Sequence, residues 1–151
     1  MSPKKLPPAA ETIRCRIKDL IPDLSGEKTE NSATVARKEE GGWSYEGDAL
    51  TKQVALLSKE LISSNLKDWA WAVIYFQHQK PVEMERGGFF IPLCDNPLCE
   101  KGPMELKELR RYYEELGEGF YDEIKPAFLV MNSGSAALFI APKHPEAQPT
   151  H

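Results

Sequence analysis

The segment that most constrains this chain runs from Asp68 to Phe76: Asp-Trp-Ala-Trp-Ala-Val-Ile-Tyr-Phe. After its first residue it is apolar, rich in aromatic and β-branched side chains, and polar residues bracket it. Such a run reads as a central β-strand buried on both faces. A strand of this kind needs paired neighbours and cover above and below, so it predicts a folded domain with a real core. It carries no catalytic or cofactor signature.

The rest of the chain supplies candidate partners. Thr12-Ile13-Arg14-Cys15-Arg16-Ile17-Lys18 alternates apolar and charged residues, which suggests a half-exposed edge strand. The competing reading is a helix continuing through Asp19-Leu20-Ile21 and ended by Pro22. Ser25 to Asn31 reads as a polar loop. Ala33–Lys38 and Trp43–Glu46 flank Glu39-Glu40-Gly41-Gly42, a hairpin pattern whose Gly pair supplies the positive φ of a tight turn. Trp43 and Tyr45 then share a face. A helix is expected over Asp48–Asn65, with Asp48 as N-cap and Leu50, Val54, Leu57 and Leu61 as its buried stripe.

After the central strand, Gln77–Gly87 reads as a polar link and Gly88–Leu93 as a strand. Pro92 lacks an N–H, so that strand must end at an edge or leave the sheet there. A second helix is expected from Pro103 to Gly117, with Leu106, Leu109, Tyr113 and Leu116 facing inward. Ala127–Met131 and Ala136–Ile140, joined by Asn132-Ser133-Gly134-Ser135, read as a final hairpin apolar on both faces. The expected fold is α+β: a largely antiparallel sheet of five to seven strands with two amphipathic helices packed on one face. Residues 1–11 and 143–151 are expected to be flexible tails around a single domain, 12–142. At 151 residues with 41% hydrophobic and 28% charged residues, the chain suits one ordinary core. Two helices cannot shield both faces of such a sheet. The other face must be twisted shut, covered by the tails, or used.

Chemistry-bearing residues are sparse. Cys94 and Cys99 are separated by four residues, the outer limit of zinc-knuckle spacing, with Cys15 and His78 as the other conceivable ligands. The plain reading is ordinary thiols, and no metal or cofactor is assigned. His78 follows the central strand, a place where a general base could sit, but solvated loop residues are common there. Glu83 and Glu85 share a side if extended. Glu123-Ile124-Lys125, after Asp122 and with Asp95 upstream, matches half of a metal-dependent nuclease signature. A match of three residues is common by chance. Gly41-Gly42, Gly87-Gly88 and Gly117-Glu118-Gly119 have neither P-loop nor dinucleotide spacing.

The net charge is −4 and the cations are scattered, which argues against a nucleic-acid partner. No stretch reaches the ~20 apolar residues of a membrane helix, and no apolar segment follows Lys4-Lys5 to make a signal peptide. The expected location is the cytoplasm. What remains is an aromatic set, Trp43, Tyr45, Trp69, Trp71, Tyr75, Phe89 and Phe90, able to line one sheet face, with the first six as the candidate interaction residues. Aromatic residues dominate many binding surfaces. The leading expectation is a non-enzymatic protein-binding module: an adaptor, an inhibitor or immunity-type protein, or an assembly subunit. It would use this face or the final hairpin for a protein partner or self-association. The alternative is a small-molecule-binding domain or small enzyme with a pocket near loops 77–87 and 94–102. A third is the nuclease-like domain.

Overall fold

The computed structural model describes residues 4–62, 66–84, 88–94, 120–124 and 127–143. Along the chain come β1 (Lys4–Lys5), α1 (Pro8–Leu20), α2 (Pro22–Ser25), β2 (Thr34–Glu39), β3 (Gly42–Glu46) and α3 (Asp48–Leu61). A 3₁₀ turn at Leu66–Asp68 leads into β4 (Trp69–Phe76) and β5 (Lys80–Met84), then β6 (Gly88–Pro92), β7 (Phe120–Ile124), β8 (Ala127–Met131) and β9 (Ser135–Pro142). Seven strands form one sheet in the order β1-β7-β6-β9-β4-β3-β2, while β5 and β8 form a separate pair. Every pairing among the described residues is antiparallel. This is the expected α+β class. The helix expected over Pro103–Gly117 lies outside the described residues.

The segment Thr12–Lys18 is helical, not an edge strand. Pro8 occupies the first turn, where its missing N–H costs nothing, and Ala10, Ile13, Arg14 and Ile17 form one buried stripe at helical spacing. Cys15, which alternation would have placed beside Ile13 and Ile17, is exposed. Residues 4–11, expected as part of a flexible N-terminal tail, are structured. They carry β1 and the start of α1, with Leu6 and Ala10 buried. The helix expected over Asp48–Asn65 is α3, which begins at Asp48 as expected, but Gly47 is its N-cap and it stops at Leu61.

Residues of α1 (Ile13, Ile17) and α3 (Leu50, Val54, Leu57) share one buried cluster with Tyr45, Val73, Phe89, Ile91, Leu138 and Ile140 of the sheet. The opposite sheet face belongs to a second cluster, in which Met84 of β5 and Met131 of β8 meet Phe76, Phe90, Ala137 and Phe139. The second face is therefore closed in part by strands rather than helices.

These covering strands come from an arrangement that replaces two expectations. Gln77–Gly87 is not simply a polar link, because it contains β5. The final hairpin does not form either: β8 pairs with β5, and β9 pairs with β4 and β6. Phe76 pairs with Ser135, and Lys80 pairs with Met131, four residues on in one strand and four back in the other. The two ladders are thus one continuous register, bent at Gln77–Gln79 and Asn132–Gly134. Gly134 N–H donates to Phe76 O (2.7 Å) and Ser133 Oγ donates to Gln77 O (2.7 Å), holding the corner. Strands that bend in this way pass from one layer to the next.

β4 lies inside the sheet, but it is less buried than expected. Only Val73 and Phe76 are buried, and Ala70 is exposed. The cause is its short neighbour. β3 pairs with β4 only over Ile74–Phe76, so Trp69–Val73 lack a partner strand on that side among the described residues. The doubly buried strands are β6 and the first six residues of β9. Pro92 ends β6 two residues beyond the last pair with β7, where a missing N–H interrupts no ladder. No helix among the described residues is long and apolar enough to cross a membrane.

Candidate functional site

Six of the seven expected aromatics share one face, while Phe90, next to Phe89 in β6, points to the other. Trp43 pairs across to Tyr75, and Trp71, Ile140 and Phe89 lie in line across three strands. It is the face that α1 and α3 cover, so it is not an open sheet surface. Phe89 is buried beneath Trp69, with ring centroids 5.6 Å apart, and Tyr75 is half-buried against Trp43 at 5.2 Å. Four of these aromatics line two clefts. Trp69 and Trp71 line a cleft of about 190 Å³ with Thr51, Ala55 and Ser58 of α3. Trp43 and Tyr45 line a larger one, about 440 Å³, at the other end.

The larger cleft is assembled from four short pieces of chain. Pro22 ends α1 and opens α2, which presents Asp23. Ala33 N–H donates to Leu20 O (2.8 Å) and fixes the start of β2 against the end of α1. Gly41, at φ 89°, closes the turn into β3, whose alternation sends Trp43 and Tyr45 to the helix side. A bulge between Val35 and Arg37 completes the site. Residues three apart in a regular strand face opposite ways. Here the extra residue lets Val35 stand opposite Tyr45 and Lys38 opposite Trp43, so both line the same cleft.

Within it, Asp23 Oδ2 accepts hydrogen bonds from Trp43 Nε1 (2.9 Å) and from the Tyr45 hydroxyl. Trp43 Nε1 also donates to Tyr45 Oη at 3.0 Å. Lys28, Lys38, Pro22, Ala33, Thr34 and Val35 complete the lining. Val35 is 42% exposed, an unusual state for a large apolar side chain in this molecule. All six residues of β2 are exposed, and β2 is the last strand of the sheet. The cleft therefore opens beside an unpaired edge among the described residues.

The other expected sites are less developed. His78 is exposed, and its backbone N–H donates to Gly41 O (3.0 Å). Glu83 is exposed on β5, and neither residue lines either cleft. Cys94 is half-buried, its Sγ accepting from Ala136 N–H at 3.4 Å. No group of three or more His, Cys, Asp or Glu residues is gathered as metal ligands among the described residues. Cys99, Glu85, Asp95 and Lys125 lie outside them, and Asp122 and Glu123 fall in β7.

Sequence reasoning did not single out Asp23, Lys28, Val35 or Lys38 as site residues, nor a second polar cluster on α1. There the buried Arg14 donates from Nε and Nη2 to the Glu11 carboxylate at 2.9 and 2.6 Å, and Cys15 Sγ lies 3.3 Å from Glu11 Oε1. The hydrogen bonds from Arg14 hold the Glu11 carboxyl below the usual carboxylate range, against an opposing push from burial. Glu11 sets a carboxylate against the buried guanidinium through Nε and Nη2, and the pair lines neither cleft.

Comparison with protein-family models, curated proteins and solved structures finds no match to this chain.

Proposed function

We propose that this protein is a binding module that takes an extended segment of a protein partner along β2. One partner side chain would enter the cleft over Trp43 and Tyr45. The observation that carries this reading is the opening of a 440 Å³ aromatic cleft directly beside an exposed edge strand. An edge offers a row of backbone donors and acceptors for strand addition, and a neighbouring pocket supplies selectivity. Trp and Tyr are the residues that most often anchor such contacts. The expected final hairpin has no part in it, since Ser135 to Ile140 are buried inside the sheet.

The test is display of random extended peptides against the immobilised full chain, followed by titration of the selected peptides with wild type and Trp43→Ala. The expected loss on Trp43→Ala is at least about tenfold, the effect of removing an anchoring aromatic. Failure to select any peptide, or peptides indifferent to Trp43→Ala, would overturn the reading.

A second reading follows from volume alone. The larger cleft falls within the range of about 300–1,000 Å³ used by small-ligand sites. It moves the expected small-molecule pocket away from loops 77–87 and 94–102. A small molecule that saturates the cleft while peptides do not bind would favour it.

A further inference from the structure

The charges around the cleft say what kind of strand this edge suits, granted the strand-addition reading. Three charged residues line it: Asp23, Lys28 and Lys38. Asp23 is occupied by the Trp43 and Tyr45 donors. Lys28 and Lys38 are exposed, and neither takes part in an ion pair among the described residues. Next to them, the Glu39 carboxylate is shared by two cations. Glu39 lies 3.7 Å from Arg37 and 3.6 Å from Lys80. On a chain of net charge −4, the cleft is thus a local site where two exposed lysines stand against one carboxylate beside an exposed valine and a tryptophan.

We propose that the partner segment is acidic: an extended peptide lying along β2 that places a carboxylate side chain between Lys28 and Lys38 and an apolar one over Val35. A basic segment would set like charge against both lysines, at a cost that grows as the cleft is desolvated. The bulge is what makes this possible. It puts Val35 and Lys38 on one face, so one peptide strand meets an apolar and a cationic side chain together.

The experiment uses the full chain and three fluorescent peptides of one alternating Thr-Val sequence. They carry Glu, Gln or Lys at the positions facing the cleft. Anisotropy titrations at low salt are expected to rank them Glu, Gln, Lys, with the Glu peptide ahead of the Lys peptide by about tenfold, an advantage that shrinks as salt screens the charges. The double variant Lys28→Glu/Lys38→Glu should reverse the order. Both lysines are exposed, and circular dichroism verifies that the variant keeps its fold. Three peptides binding equally, or a Glu preference that survives the double variant, would overturn the acidic-partner proposal while leaving strand addition in place. Free glutarate displacing the Glu peptide at equal potency would assign the cleft to a small carboxylate and also overturn it. Binding of none of the three would count against both proposals.

Discussion

Gly88 is the position at which a single methyl group tests the sheet. Its φ is 135°, and a Cβ built on it would lie 2.1 Å from Ile140 O and 3.0 Å from Ala141 Cα. Both obstacles are backbone of β9, the strand at the centre of the sheet. Neither can rotate away as a side chain would. To reach an ordinary contact, β6 and β9 must separate by at least about 1.3 Å where Phe89 pairs with Ile140. That movement weakens one or two ladder hydrogen bonds, each contributing about 0.5–1.5 kcal/mol, and the backbone strain adds about 1–3 kcal/mol. Gly88→Ala should therefore cost about 2–6 kcal/mol, a large part of the 5–15 kcal/mol that holds a typical domain together. Gly41→Ala is the matched control. Its φ is also positive, at 89°, but its Cβ would meet only the Lys80 side chain, at 3.4 Å. Strain alone should cost it about 1–2 kcal/mol. Urea denaturation of the three proteins reads the difference, provided that the slopes agree. If Gly88→Ala loses no more than Gly41→Ala, close approach of β6 to β9 is not what the glycine serves, and the argument fails.

Two further outcomes follow. Because Arg14 lowers the folded pKa of Glu11, that carboxylate stabilises the fold above the ordinary Glu range, and its contribution is lost as pH falls through the lowered value. Glu11→Gln should cost about 1–2 kcal/mol at pH 7, discounted from a fully buried pair because the carboxylate is one-third exposed; urea midpoints for wild type and variant should converge in acid. Asp23→Ala removes the acceptor shared by Trp43 and Tyr45 and should cost about 1–2 kcal/mol, read by the same denaturation; an unchanged midpoint would mean that these bonds contribute nothing to holding the cleft.

The parts of this fold visible in the sequence are those set by local rules. The β2–β3 hairpin announces itself through Gly41-Gly42, and α3 through Leu50, Val54 and Leu57 at helical spacing. The failures have a common physical origin. Between Thr12 and Lys18 both periods fit, because Ile13 and Ile17 lie four apart and Cys15 sits midway. Only Ala10, Arg14 and the proline at position 8 tip the choice to helix, and Arg14 becomes buried because Glu11 neutralises it one turn away. In the last two strands, residues apolar on both faces specify no register, so the nearby turn suggests a hairpin. The observed pairing instead joins segments over fifty residues apart, such as Phe76 and Ser135, and reveals its logic only as one ladder bent across two layers.

The cleft was hidden for a different reason. Alternation correctly places Trp43 and Tyr45 together, and Trp69, Trp71 and Tyr75 with them, but alternation cannot say which face the helices will take. They take this one, and the aromatic surface shrinks to what lies at its ends. The residues that then shape the larger cleft obey no period at all. Asp23 arrives from a helix twenty positions before Trp43, and Val35 and Lys38 meet only because a bulge breaks strand alternation. A bulge adds one residue without changing composition, and Thr34-Val35-Ala36-Arg37-Lys38-Glu39 contains no glycine to mark it. The same irregularity twists an exposed edge and limits indiscriminate pairing with other strands. On the reading proposed here, one extra residue both guards the edge and creates the pocket that makes it selective. On the same proposal, an exposed strand that carries an exposed valine can persist because the pairing it permits is the one in which a partner side chain fits the cleft.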